Sequence, residues 1–242
     1  MYRTRVFTVF VATVALLAAC GDDTSGGSTI TSEPAAGTTT TTSEPAATTT
    51  SESVQLEQPA IWPASDVVFT TPEAAAADFV AQVLGAGPVL GEFVGGDQRS
   101  GEIEVFASVD GVAISTARSL LFLRRLGPAD GWFVIGAGNE FATISAPEPM
   151  AVVAAGPLTV EGVARGFEAT VVVSAFVAGR GDPLLDQEVA MAGNLDVALP
   201  YSVTLDLSGA SPGDTVVLLV RGGAGLETDP GDFGAIPVVI GG

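Results

Sequence analysis

The sequence predicts an α+β domain, one helix on an antiparallel sheet, followed by an all-β sandwich. Three observations predict it. A single capped helical pattern lies near residue 72; short β-rich runs separated by Gly, Asp and Pro fill the rest; and the proline connector "SAPEPM" at 145–150 divides those runs into two groups. Hydrophobic residues make up 47% of the 242-residue chain, ample for packed cores.

The first element is a leader. Arg3 and Arg5 precede an uncharged apolar stretch, Val6 to Ala19, which is short for a bilayer and ends in small residues, the pattern of a secretory signal peptide over 1–19. The segment Leu17-Ala18-Ala19-Cys20 resembles the lipobox of bacterial lipoproteins. The resemblance implies cleavage before Cys20, a diacylglyceryl thioether on its sulfur, and often acylation of the new amine. Cys20 is then the lipidation site, and the protein is expected at the extracytoplasmic face of the cell membrane. One acyl chain holds a protein marginally, whereas two or more, at roughly 0.8 kcal/mol per buried CH₂, anchor it stably. Since Cys20 is the only cysteine, the folded part has no thiol for a disulfide or a metal.

From Cys20 to about Leu56 the chain is rich in Thr, Ser, Pro, Ala and Glu, with "TSEPAAGTTTT" followed by the near-copy "TSEPAATTTSE". No core forms from such a composition, so 20–56 reads as a tether with an end-to-end span on the order of 30 Å. Its threonines are candidate O-glycosylation sites by composition.

The α+β domain is placed at 57–147. Thr71 caps a helix whose first residue is Pro72, with Glu73 in the first turn and Gly85 past the end; Ala76, Phe79, Val80, Val83 and Leu84 share one face. Strand-like runs follow, with polar and apolar residues alternating in Glu102-Ile103-Glu104-Val105 and a hairpin signal in "PADGW" at 128–132. The second domain is placed at 150–242. About seven short strands recur there, and Tyr201, Val203, Leu205 and Leu207 alternate with Ser202, Thr204 and Asp206, a strand with one wet side.

The runs "PLTVEGVARGFEATVVV", "LPYSVTLDL", "DTVVLLVRGGAG" and "IPVVI", between Gly156 and Ile240, resemble the immunoglobulin-like domain of bacterial spore-germination proteins, the Gmad type. The "FEAT" of Phe167–Thr170 is the most distinctive piece. The preceding segment, through "WP", "FTTPEAAAADF", "SGEIEV" and "GPADGWFVIGA", resembles the domain that precedes this module in actinobacterial lipoproteins. The loop 180–183 and the acidic stretch 227–232 depart from the pattern. The resemblance implies an immunoglobulin-like sandwich with no enzymatic activity and no cofactor, serving envelope binding or scaffolding, with another protein or a wall polymer as partner.

Charge and composition exclude whole classes of chemistry. Basic residues number 9, all arginine, against 28 acids and no histidine, for a formal charge of −19. Such a surface repels nucleic acid and anionic headgroups. Without His, Lys or a free Cys, Ser-His-Asp, Cys-His and Ser-Lys nucleophilic sites and His-ligated zinc cannot be built within one subunit. Carboxylate pairs remain, from Glu92, Glu102 and Glu104 or from Asp182, Asp186 and Glu188, so a carboxylate-dependent envelope glycan hydrolase is the alternative reading, against solvated strand and loop positions for the same residues. A small-solute-binding lipoprotein is a further alternative. "GRGDP" at 179–183 contains an Arg-Gly-Asp tripeptide and also reads as a turn between strands. Glu227, Asp229 and Asp232 are candidate ligands for a hard cation, or a solvated acidic loop. Arg124-Arg125 near Trp132 can stack a cation on the indole.

Overall fold

The computed structural model describes residues 55–242 except 88, 110, 111 and 227; the leader, Cys20 and most of the tether lie outside the described residues. The elements in chain order are α1 (Pro72–Val83), β1 (Val89–Leu90), β2 (Val94–Gly95), β3 (Ser100–Val109), β4 (Val112–Leu126), β5 (Gly131–Gly138) and β6 (Ala142–Ala146). They continue with β7 (Val152–Val153), β8 (Pro157–Ala164), β9 (Thr170–Val177), β10 (Asp186–Met191), β11 (Leu199–Asp206), β12 (Thr215–Gly222) and β13 (Asp232–Ile240).

α1 forms where its caps predict. The Thr71 hydroxyl accepts from the Ala74 amide at 3.3 Å, Pro72 occupies the first turn, and Gly85, at φ +63, lets the chain leave after Leu84. Its face of Ala75, Ala76, Phe79 and Val80 is buried against Ile103, Val105, Leu121 and Leu123 of the β3–β4 hairpin. Trp62 packs edge-on to Phe79 and donates its indole N–H to Asp78 at 2.8 Å. The turn at 127–130 joins β4 to β5 with Leu126 opposite Gly131, as "PADGW" predicts.

The C-terminal strands form a sandwich. One sheet holds β11, β8 and β6 in that order; the other contributes β13, β12, β9 and β10. β11 shows the predicted alternation: Tyr201 and Leu205 are buried, and Ser202, Thr204 and Asp206 are exposed. Burial pushes the Tyr201 phenol well above its usual value, and its hydroxyl donates to the Thr143 carbonyl at 3.0 Å.

The two groups of strands do not build separate sheets. β5 and β13 pair through Ala137 and Ala235, giving a ten-stranded sheet in the order β1-β3-β4-β5-β13-β12-β9-β10, with β2 also paired to β3 and β7 to β13, and the described residues belong to one compact unit. Close approach at Gly136 of β5 permits the join, since a Cβ there would stand 3.3 Å from the Ala235 carbonyl oxygen; on β13 itself, Gly234 admits β6 of the smaller sheet, a Cβ there standing 2.3 Å from the Ala142 carbonyl oxygen. β9 and β12 consequently serve two cores. Val171, Val173, Ala175, Val216, Leu218 and Val220 face the sandwich interior. Phe176, Val217 and Leu219 join the cluster beneath α1. This is why "DTVVLLVRG" is apolar on both faces.

Candidate binding groove

Beyond the C-terminal end of α1, its side of the large sheet is left uncovered over β9, β10 and β12. A groove of about 670 Å³ lies there, floored by Val172, Ser174, Leu219 and Arg221. One wall is the loop Gly181–Leu184 and the other is Gly223–Leu226, with Val83 closing the end. Leu184 and Leu226 are exposed in its walls, and Val189, paired with Val172 of the floor, is exposed on the next strand. Exposed apolar side chains gathered at one concavity, on loops held by a sheet, are the usual form of a binding surface.

The first wall contains the Arg-Gly-Asp tripeptide. Gly179, at φ +72, donates its amide to the Ile61 carbonyl at 3.1 Å, and a Cβ there would meet the Ala64 backbone at 2.1 Å. Gly181 packs on the last turn of α1, so the tripeptide is docked along the helix, with the side chains of Arg180 and Asp182 exposed. It is a structured wall of the groove.

The second wall is set by a buried ionic network. Asp229 receives Arg118 in a two-pronged pair, Nε to Oδ1 at 3.0 Å and Nη2 to Oδ2 at 2.6 Å, and its Oδ1 also accepts the Gly231 amide at 2.8 Å. Asp232 accepts from Arg165 Nε at 2.7 Å and from Asn139 Nδ2 at 3.3 Å. The Arg165 guanidinium lies 3.4 Å from the centroid of the Phe141 ring. Side-chain exposure is 2% for Asp229 and 5% for Asp232, against 19% for Arg118 and 16% for Arg165. Burial costs charged groups several kcal/mol each, which this geometry offsets by filling both carboxylates with charge-assisted donors.

Arg221 completes the wall without a carboxylate of its own. It donates to the carbonyls of Leu84 at 2.9 Å and of Pro230, tying the end of α1 to the loop. Burial draws its pKa below the usual arginine value, opposed by the nearby Asp229.

Each predicted site residue can now be placed. Asp229 and Asp232 face guanidinium groups, so a cation would have to displace an arginine from each; Glu227 lies outside the described residues, as does Cys20. Among the described residues no group of three or more potential ligands is assembled for a metal. Glu92, Glu102 and Glu104 stand exposed on and beside β3, while Glu188 is exposed on β10. Asp186 caps the amides of Gln187 and Asp206 at 2.8 and 2.7 Å. Arg125 sits over Trp132 at 5.1 Å, its cross-strand neighbour, and pairs with Asp130 at 2.9 Å.

Sequence reading missed Arg118, Arg165, Arg221 and Asn139. A signal was present: each of these arginines interrupts a strand-like run ("STARSLL", "GVARGF", "LLVRGG"), where an uncompensated charge is costly.

A second cleft of about 770 Å³ runs along the seam where β10 and β11 lie side by side without pairing; it is lined by Val189–Met191, Pro200–Ser202 and Glu161–Val163.

Residues 141–222 match the Gmad2 family, described as the immunoglobulin-like domain of bacterial spore germination. The match starts earlier than the resemblance quoted above, and the structure gives the reason, since β6 pairs with β8 in the smaller sheet of the sandwich. No curated protein and no solved structure matches the chain. The chain therefore carries a Gmad2 immunoglobulin-like domain, with β13 added beside β12 beyond the matched residues.

Proposed function

We propose that this chain is a non-catalytic, lipid-anchored protein of the cell envelope, held through Cys20 at the extracytoplasmic face of the membrane, and that its immunoglobulin-like domain is a binding or scaffolding module acting through the groove. The observation that carries the reading is the groove itself: exposed Leu184 and Leu226 on opposite walls, with Val189 paired to Val172 of the floor. In support, the buried carboxylates Asp229 and Asp232 are taken up by arginines that fix the wall, a structural use rather than a reactive one. Among the described residues no helix is long and apolar enough to cross a membrane, which leaves the leader and Cys20 as the basis for anchoring. The tether would hold the groove clear of the headgroups.

Cys20→Ser is expected to abolish incorporation of a fatty acid analogue and to move the protein out of the membrane fraction into the secreted or uncleaved pool. Undiminished label in the variant would overturn the anchoring.

A further inference from the structure

β10 ends the ten-stranded sheet. Sheet edges are usually blunted by lysine, proline, a bulge or brevity. Within its six residues this edge has neither lysine nor proline and pairs with β9 in unbroken register, Asp186 with Ala175 through Met191 with Thr170; the irregularity is at its start, where the Leu185 amide also donates to the Ala175 carbonyl at 2.8 Å. The opposite end strand, β1, has two residues.

The pairing also shows which amides are free. Ala192 donates to Ala169 at 2.9 Å, continuing the register, so even-numbered amides point at β9 and those of Gln187, Val189 and Met191 point outward. The Gln187 amide is taken by the Asp186 carboxylate at 2.8 Å, which leaves Val189 and Met191, whose outward edge lines the cleft beside β11. Side chains alternate as well. Gln187, Val189 and Met191 lie on the groove side with their partners Ser174 and Val172, and Asp186 and Glu188 lie on the other.

We infer that the outer edge of β10, where it lines the cleft beside β11, takes an extended, basic polypeptide segment that adds as a further strand, its apolar side chains beside Val189 and Met191 and its basic ones facing Glu188 and Asp186. This rests on the binding reading above and names the class of partner. Charge selects the occupant: a second copy would bring the same acids together across the new pair in a chain of net charge −19, whereas Lys or Arg at alternate positions would neutralise them.

The test uses the full chain purified in detergent and a capped nine-residue peptide alternating lysine and valine. Controls are its scrambled isomer and an alternating glutamate-valine peptide. Saturable binding of the first is expected, at least tenfold tighter than either control and weakened by salt, with slowed hydrogen exchange at the Val189 and Met191 amides. Val189→Pro removes one outward donor at a position where an edge strand tolerates proline and should weaken binding at least tenfold. If that variant is unfolded, Val189→Lys, which keeps the backbone and repels the peptide, should give the same loss with an unchanged melting temperature. Equal binding of the scrambled peptide, or protection elsewhere than β10, overturns strand addition. So does self-association of the chain in sedimentation that Val189→Lys removes. Failure of the peptide while adducts to an envelope protein still form at Leu184 and Leu226 would overturn this inference alone, leaving the binding reading in place.

Discussion

Asp229→Ala is expected to destabilise the folded chain by about 3–5 kcal/mol, because it removes the two-pronged partner of the Arg118 guanidinium and leaves it only the Asp232 carboxylate, at 3.9 Å and already held by Arg165. The loss is larger than that of an exposed pair. The Arg99–Asp130 contact at 3.3 Å, with both side chains half exposed, is worth about 0–1 kcal/mol by comparison. Removing both partners, Arg118→Met with Asp229→Leu, should recover much of the loss, since the penalty belongs to the unpaired charge and not to the absence of the bridge. Denaturant unfolding of the two variants and the double variant measures this. A single-variant loss below about 1 kcal/mol would mean that the pair is not formed in solution.

Phe176→Ala should cost about 3–5 kcal/mol, the range for emptying a fully buried aromatic site. Phe176 is 1% exposed and belongs to the cluster under α1, although its strand, β9, forms part of the sandwich. The damage should therefore reach both groups of elements together. Trp62 and Trp132 both lie in the α1 cluster, so their fluorescence reports that side, and hydrogen exchange of β8 and β11 reports the other. A single coincident transition, shifted to lower denaturant, is the expected result. Two separated transitions would show that the sheet joined at Ala137 and Ala235 does not couple them.

What the sequence made legible was local. The Thr71-Pro72 start of α1, the hairpin at 127–130 and the wet face of β11 are each decided within a few residues, by a cap, a turn or a two-residue period, and each is found in the structure. The sandwich was legible from its strand spacing. What was not legible depends on partners distant in sequence. Arg118 and Asp229 are separated by 111 positions, and nothing near either residue distinguishes an acidic loop bathed in water from one held by guanidinium groups. The joining of two expected sheets into one rests on a close approach at Gly136, a glycine inside the run "GWFVIGAG" that nothing in its neighbours marks as a contact with residue 235. The groove was hidden for the same reason. Leu184 and Leu226 are ordinary loop residues until the docking of residues 179–184 along α1 sets them across from each other.

Site-specific photo-crosslinking in intact cells tests the binding claim most directly. A photoreactive side chain is placed singly at Leu184, Leu226 or Val112, the last more exposed than either but on β4 away from the groove. Discrete adducts with an envelope protein or wall polymer are expected at Leu184 and Leu226 and not at Val112. Equal adducts at all three positions would contradict the groove as the binding surface. No adduct at any of them, together with envelope glycan turnover that disappears in Glu102→Gln or Glu104→Gln, would contradict the non-catalytic reading itself.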